Sequence, residues 1–268
     1  MPDVTPPKII YHYTTAEGLL GILNEKALWA TKIHYLNDAT ELVEPIRIAK
    51  KILEELSAKA DKYSIECTMQ RMLSDIFEWE SINTCVVSFC AKGDLLSQWR
   101  AYGVSSSSYS IGFDSAKLTE AIKAHPFELK QCKYYNPNDY NKAVYQFILE
   151  SSKEKDLPDN FIGRFINMAA VMKLKCFSEE EEWRIVSYSP LSFTDLRFRV
   201  GKSMLIPYYS LPITLSSIVE IIIGPCPHPN LAKDAIAGLS HKYRLDNVVE
   251  DNMVREKVKV SEIPYRNY

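Results

Sequence analysis

Apolar residues recur along the chain at two spacings, one typical of strands and one typical of helices. A β-branched and aromatic run at residues 8–14 predicts a first strand, and the apolar residues of 16–27 recur at helical spacing. Residues 27–31 then return to a strand pattern. Because Thr14 or Thr15 stands where a helix N-cap is expected, the sequence predicts a β-α-β unit at its start.

Four longer segments have the helical pattern. Residues 38–80 predict an inserted helical hairpin whose second helix ends near Trp79. Residues 138–155 and 159–172 predict two more helices. We expect the whole stretch 138–172 to form a helical cover over the sheet, since a long connection without structure of its own is uncommon in a compact domain.

Strand patterns dominate the middle and the end of the chain. Short apolar or alternating runs occur at residues 83–90, 109–113, 128–135, 182–188, 196–200, 217–224 and 248–260, with a short helix near residues 230–240. Strands with inserted helices predict an α+β fold built on a mixed sheet. A single domain over residues 1–268 is expected, because such sheets often run to this length as one unit.

Composition and charge narrow the classes of protein. Hydrophobic residues make up 46% and charged residues 25% of the chain, which is typical of a folded domain rather than a disordered one. The formal net charge of −2 provides no overall attraction to nucleic acid or an anionic membrane, although a local basic groove stays open. The sequence has no signal peptide and no run of about 18 apolar residues, so a cytoplasmic protein without membrane contact is expected.

Several common catalytic and metal-binding signatures are missing from the sequence. The six cysteines contain no CxxC pair and no surrounding histidines at zinc spacing, so reduced thiols and no metal are expected. There is no GxGxxG after a strand, no P-loop, no Gly-x-Ser-x-Gly and no HExxH. Dehydrogenase, NTPase, hydrolase and zinc-protease functions therefore lose their usual support.

His12 and Thr14 form the first candidate binding pair. In a strand these two side chains lie on one face, while Tyr11 and Tyr13 lie on the other. An imidazole beside a hydroxyl suits the hydroxyl groups of a ribose. The alternative is that His12 only satisfies a hydrogen bond inside the core, and both interpretations stay open.

Trp99 and Tyr102 form the second candidate pair. They are three residues apart in a helix-like segment, so they share a face, and Gly103 would follow as the C-cap. Two such aromatic side chains can sandwich a planar ring. They can equally fill the core beneath a loop, which is the commoner use of an aromatic pair at this spacing.

Glu180, Glu182 and Arg184 form the third candidate group. Four consecutive carboxylates at residues 179–182 lead directly into an apolar strand, and alternation places the three side chains on one face if the strand starts early. A carboxylate at a strand end beside an arginine suits catalysis. The alternatives are a solvated turn and a simple ion pair between Glu182 and Arg184.

The order of these motifs resembles the bacterial domain of unknown function 2971. The shared features are Tyr11-His12-Tyr13-Thr14, Asn37-Asp38 with Glu41, Ser97-Gln98-Trp99 with Tyr102-Gly103, Glu180 to Arg184, and Ile223-Gly224-Pro225. The resemblance extends from about residue 9 to Arg266. That family has no established activity, so it implies no function by itself.

A more distant resemblance, to ADP-ribosyltransferases, does imply a function. A histidine on the first strand, mid-chain aromatics and a Glu-x-Glu pair before a later strand are similar to that family, whose split, mixed sheet holds NAD between two halves. The resemblance implies that a ribose hydroxyl contacts His12 and that nicotinamide stacks on Tyr102 or Trp99. It also implies that the 2′-hydroxyl of the nicotinamide ribose contacts Glu182 and that the acceptor faces Glu180. Thr14 and Arg184 would complete the binding set. The chain departs from the family in having no Ser-Thr-Ser strand motif.

Two functions follow as expectations. The resemblance implies an NAD-dependent ADP-ribosyltransferase or an NAD glycohydrolase, such as a toxin or a phage-defence effector, with a protein or nucleic acid as possible acceptor. In that chemistry a fixed carboxylate stabilises the oxocarbenium-like sugar that forms as nicotinamide leaves. The alternative is a noncatalytic nucleotide or nucleic-acid binding module, in which Trp99 and Tyr102 stack on bases while Arg100 and Arg184 pair with phosphates.

Overall fold

A computed structural model describes most of the chain. The described residues are 5–36, 40–59, 63–77, 82–102, 107–153, 161–201, 203–245, 248 and 258–264. The strands are β1 (Ile9–Thr15), β2 (Ala27–Lys32), β3 (Cys85–Cys90), β4 (Ser108–Asp114), β5 (Phe127–Gln131), β6 (Lys133–Tyr135), β7 (Met172–Leu174), β8 (Glu182–Ser187), β9 (Leu196–Val200), β10 (Leu205–Pro212), β11 (Ile218–Ile223) and β12 (Val258–Val260). The helices are α1 (Ala16–Glu25), α2 (Thr40–Ala58), α3 (Tyr63–Phe77), α4 (Leu96–Tyr102), α5 (Ser115–Ile122), α6 (Pro137–Ser152), α7 (Phe161–Ala169) and α8 (Pro229–Tyr243).

A 10-stranded mixed sheet is the centre of the fold. Its main path runs β12-β11-β4-β1-β3-β2-β10-β9, and β8 joins it by pairing with both β3 and β5. The pairing of β11 with β12 is parallel, whereas the other recorded pairings of this sheet are antiparallel. The expected α+β class with a mixed sheet is therefore confirmed.

The sheet forks at β3. Along one edge β3 pairs with β8 from Val86 to Cys90. The other edge is shared, since β1 pairs with it at Cys90 while β2 pairs with it at Cys85 and Val86. A strand has only two edges, so β1 and β2 must diverge from one another along the second one. The gap between them opens beside Ser88 and forms the mouth of a cleft.

Buried side chains form separate cores on the two faces of the sheet. On one face, α1, α5 and α8 pack their apolar sides on β1, β4 and β11. On the other face, α2, α3, α6 and α7 enclose a second core that includes Val86 and Val186. Beside that core, Tyr13 of β1 packs against Trp99 of α4. The predicted helices of 38–80 are thus found as α2 and α3, and both contribute to a core that the sheet shares.

The first turn of α1 packs directly on the end of β1. The hydroxyl of Thr15 accepts a hydrogen bond from the backbone N–H of Gly18, as an N-cap does. A Cβ atom at Gly18 would lie 1.9 Å from Oγ1 of Thr14, so only glycine lets the first turn of α1 approach that hydroxyl. The predicted β-α-β opening is confirmed, with Thr15 as the cap.

Three parts of the structure differ from the sequence-based expectations. Residues 128–135 are two strands rather than one, because β5 lies beside β8 in the large sheet while β6 pairs with β7 in a separate two-stranded sheet. The predicted helix at 159–172 ends at Ala169, and the chain then becomes β7. Strand β10 and helix α5 were not expected, although Leu118 and Ile122 of α5 are buried at helical spacing. No helix in the described part of the chain is both long and apolar enough to cross a membrane.

Candidate functional site

Two adjoining cavities occupy the fork of the sheet. The smaller one, of about 400 Å³, lies over β3 and β8. The larger one, of about 1400 Å³, lies between β1 and β2 and reaches β9 and β10. Both are lined in part by Tyr13, Leu36, Ser88, Ala101 and Tyr102. Because these residues are common to both, we treat the two cavities as one cleft.

A buried network of four charged side chains forms the floor of the smaller cavity. Arg184 donates to Glu182 from Nε (2.6 Å to Oε1) and from Nη2 (3.0 Å to Oε2). Lys173 donates from Nζ to Oε2 of Glu182 at 2.7 Å and to Oε2 of Glu180 at 2.6 Å. Two carboxylates and two cations therefore neutralise each other where solvent contact is small, with Glu182 only 4% exposed.

Backbone and side-chain contacts hold this network in place. Nη1 of Arg184 donates to the carbonyl of Ala170 at 2.7 Å. The backbone N–H of Glu182 donates to the hydroxyl of Tyr134 at 2.7 Å, and the Glu182 carbonyl accepts from the backbone N–H of Cys132. The carboxylate of Glu182 is thus fixed by its own strand and by two neighbouring ones.

The turn before β8 determines how Glu180 reaches the network. Glu180 lies in a 3-10 turn rather than in the strand, and Glu181 after it has a left-handed backbone with φ of 43°. This reversal lets Glu180 and Glu182 approach one cation, Lys173, from two directions. Alternation therefore predicted the shared face of Glu182 and Arg184 correctly, whereas Glu180 arrives there by a different geometry.

The network keeps Glu182 ionised. Burial alone would raise the pKa of Glu182, but the charges and hydrogen bonds of Arg184 and Lys173 outweigh it and lower the pKa to about 2. The charges of the same carboxylates also affect the pKa of Tyr102. Burial, followed by the negative charges of Glu182 and Glu180, raises the pKa of Tyr102 to about 12, so its hydroxyl stays protonated at neutral pH.

His12 lies at the fork itself, on the side of the larger cavity. Its Nδ1 is 2.9 Å from the carbonyl oxygen of Ser88, and a carbonyl can only accept, so Nδ1 must carry the proton. Burial lowers the pKa of His12, and the charge of Arg199 contributes in the same direction. The ring is therefore neutral near pH 7, and its Nε2 is a hydrogen-bond acceptor.

The two aromatic candidates have different environments. Trp99 is fully buried, packs edge-on against Tyr13 with 4.8 Å between ring centroids, and donates from Nε1 to Asp94 at 2.6 Å. It does not line either cavity, so the stacking role that the resemblance implied for Trp99 does not fit its position. Tyr102, one turn later on α4, lines both cavities. The pair shares a helix face, but only Tyr102 reaches the cleft.

Most of the remaining predicted residues can also be placed. Thr14 borders the larger cavity near His12, where α1 largely covers it. Asn37, Asp38, Gly103 and Arg266 lie outside the described residues, as does the side chain of Glu41. The structure thus brings His12, Thr14 and Tyr102 to the larger cavity, and Tyr102, Glu180, Glu182 and Arg184 to the smaller one.

Two cationic residues of the cleft were missed from the sequence. Lys173 is 5% exposed and stands in an apolar segment beside Val171 and Met172, which could have indicated a buried, paired lysine. Arg199, on β9, lines the larger cavity and donates from Nη2 to Oγ1 of Thr31 at 3.1 Å. No local sequence signal connects Arg199 with a strand 168 residues away.

One comparison with known proteins finds a similarity over part of the chain. A family model described as a protein of unknown function (DUF2971) matches residues 98–185, about a third of the chain. This segment contains Tyr102, Lys173, Glu180, Glu182 and Arg184, and it supports the resemblance to that family. No curated protein and no solved structure is significantly similar to the chain. The resemblance to ADP-ribosyltransferases has no support from these comparisons and stays a hypothesis.

Proposed function

We propose that the cleft binds NAD and that the protein cleaves the bond between nicotinamide and ribose. The bonding electrons leave with nicotinamide, whose ring becomes neutral, while the anomeric carbon of the ribose forms a new bond to an acceptor oxygen or nitrogen. The acceptor loses one proton. With water as acceptor the reaction is NAD hydrolysis, and with a protein or nucleic-acid group it is ADP-ribosylation.

The main support is the arrangement of acceptors around a fork in the sheet. His12, on one branch, offers a neutral Nε2 acceptor to the larger cavity. Glu182, on the strand behind the fork, offers an ionised carboxylate to the smaller cavity. Tyr102 lies between them and borders both spaces. Ribose hydroxyls need acceptors and a nicotinamide ring needs an aromatic neighbour. Strand pairing puts Glu182 on the face of Cys90 and Tyr11, and His12 on the opposite face. One ligand that uses all three side chains must therefore pass through the fork.

The charge of Glu182 would act on the transition state. As nicotinamide leaves, positive charge develops on the ribose, and a fixed carboxylate in a site with little water stabilises that charge. Arg184 and Lys173 hold the carboxylate in position and in its charged form. To accept a hydrogen bond from a ribose hydroxyl, Glu182 must use an oxygen that already accepts one from Arg184 or Lys173.

One observation favours a second candidate, a noncatalytic nucleotide-binding module. Both oxygens of Glu182 are already bonded to Arg184 or Lys173, so its negative charge is largely compensated before any ligand binds. A compensated carboxylate stabilises a developing cation less than a free one does. In this candidate the cleft binds a nucleotide by stacking and hydrogen bonding and leaves it intact.

Nicotinamide release by the purified full chain separates the two candidates. The wild type, Glu182→Gln and Glu180→Gln are incubated with NAD, and released nicotinamide and bound NAD are measured separately. Glu181→Gln is the matched control, because Glu181 is the neighbouring carboxylate and pairs with Lys92 at the surface instead of entering the network. Loss of roughly 2.7–4 kcal/mol of transition-state stabilisation would slow Glu182→Gln about a hundredfold to a thousandfold.

The outcomes divide clearly. NAD turnover that is lost in Glu182→Gln but kept in Glu181→Gln supports the catalytic proposal, and loss only in Glu180→Gln moves the role to that residue. Saturable NAD binding without any nicotinamide release favours the binding module. If the wild type neither binds NAD nor releases nicotinamide, both candidates are contradicted.

A further inference from the structure

One wall of the larger cavity carries the cation Arg199, for which the described residues supply no acidic partner. Among the described residues, no carboxylate forms an ion pair with Arg199, whose partly buried guanidinium donates to Thr31 of β2. Its Cζ lies 5.4 Å from the ring centroid of Trp29, over the indole face. Burying a charge without a counter-charge is costly, so a site of this kind favours an anionic ligand.

Two N–H donors at this wall also lack an acceptor. Within the described part of the chain, Nε of Arg199 and Nε1 of Trp29 are buried and have no hydrogen-bond acceptor. Each such donor costs about 1–3 kcal/mol when it is left unsatisfied. Both residues line the same cavity, and Thr31 contributes a hydroxyl that holds Arg199 in place. This wall therefore combines two unmatched donors with the positive charge of Arg199.

We infer that Arg199, with Trp29 and Thr31, forms a subsite that binds the phosphoryl group of a nucleotide. A phosphate supplies several strong acceptor oxygens and the negative charge that this wall lacks, and a guanidinium can bind it through two parallel N–H groups. His12 lines the same cavity as Arg199. A sugar hydroxyl bonded to Nε2 of His12 and a phosphoryl group on Arg199 can therefore belong to one ligand.

This subsite deepens the proposed function and rests on it only for the identity of the nucleotide. Catalysis needs Glu182 on the smaller cavity, whereas the phosphoryl subsite lies on the larger one. ADP carries the phosphoryl groups but no nicotinamide, so ADP binding tests the subsite without testing NAD cleavage. If the protein binds ADP but releases no nicotinamide from NAD, the enzyme proposal is contradicted and the subsite is supported.

Calorimetric titration of the full chain with ADP, adenosine and pyrophosphate tests the subsite. The wild type should bind ADP at least about tenfold more tightly than adenosine, because a hydrogen bond to a charged group contributes that much or more. Arg199→Gln should weaken ADP binding about tenfold to a hundredfold and leave adenosine binding unchanged. Arg197→Gln is the matched control, since Arg197 is on the same strand, exposed, and lines neither cavity.

Two more measurements keep the test decisive. Arg199→Lys retains the charge but not the two parallel donors, so it should recover part of the ADP preference. If Arg199→Gln does not fold, two measurements replace it: ADP binding by Arg199→Lys, and the displacement of ADP from the wild type by pyrophosphate. Equal binding of ADP and adenosine, the absence of ADP binding, or equal effects of Arg199→Gln and Arg197→Gln would each overturn the inference.

Discussion

Nζ of Lys173 lies 2.7 Å from Oε2 of Glu182, and each of these side chains is only 5% exposed. The pair joins a short strand of the small sheet to the first residue of β8 in the large sheet. Because Lys173 also binds Glu180, one ammonium group holds two carboxylates at the edge of the cleft. This single contact connects the stability of the fold with the charge of the candidate site.

Replacing Lys173 with methionine should destabilise the protein strongly. The change keeps most of the side chain's length but leaves Glu180 and Glu182 with less compensation, and breaking a buried ion pair in this way typically costs about 3–5 kcal/mol. The free energy of unfolding is measured by urea titration at neutral pH. Lys92→Met is the control, because Lys92 pairs with Glu181 at the surface and its loss should cost under about 1 kcal/mol.

A double variant sharpens this experiment. Lys173→Met combined with Glu180→Gln removes one positive and one negative charge, so it should recover part of the stability that Lys173→Met loses. If Lys173→Met and Lys92→Met are equally stable, the buried ion pair contributes nothing and our description of the network's energetics is wrong.

The stability of the wild type should depend on pH through Glu182. Its pKa is lowered in the folded protein to about 2 from an ordinary value of 4.5, so the folded state binds fewer protons than the unfolded state between these values. The contribution, about 3 kcal/mol, is complete above the unfolded pKa and is lost as the pH falls through 4.5 toward 2. Urea titrations from pH 7 to pH 2 measure it.

Glu182→Gln is the variant that assigns this dependence. It cannot ionise, so its stability should fall less than that of the wild type over the same pH range, although it begins less stable at pH 7. Parallel pH profiles for the two proteins would mean that other carboxylates cause the acid sensitivity. Glu181→Gln, which is outside the buried network, should follow the wild-type profile.

Local patterns predicted the parts of the site that depend on neighbouring residues. Strand alternation places Glu182 and Arg184 on one face, and their side chains are in contact in the structure. The same rule separates His12 and Thr14 from Tyr13, whose ring packs against α4. Period and alternation are local properties of the backbone, so they can be recognised without knowing which other elements lie nearby.

The missing parts depend on contacts between distant elements. Helical spacing shows that Trp99 and Tyr102 share a face, but it cannot show that Trp99 enters a core formed with β1 while Tyr102 reaches the cleft. The strand pattern of 128–135 likewise hides the change of sheet near Cys132. Arg199 belongs to the cleft only because β9 pairs with β10, which in turn pairs with β2. Each of these facts requires the topology of the sheet.

Tyr102 provides a direct test of stacking in the cleft. A base or nicotinamide ring stacked on an aromatic side chain typically loses about 1–3 kcal/mol of binding when that side chain is truncated. Tyr102→Ala should therefore weaken NAD binding by about fivefold to a hundredfold. Tyr102→Phe retains the ring and loses only a hydroxyl that stays protonated at neutral pH, so it should bind NAD within about twofold of the wild type.

The core contacts of Tyr102 require a separate control for stability. Tyr102 also packs beside Trp99 and Tyr13, so Tyr102→Ala will lower the melting temperature whether or not a ligand stacks on it. NAD binding is therefore measured by calorimetry well below the melting temperature of every variant, with thermal unfolding recorded in parallel. Tyr188→Ala, which removes an exposed tyrosine outside both cavities, controls for the general effect of losing an aromatic ring. If Tyr102→Ala unfolds at a lower temperature but binds NAD as tightly as Tyr188→Ala does, Tyr102 fills the core and no planar ring stacks on it.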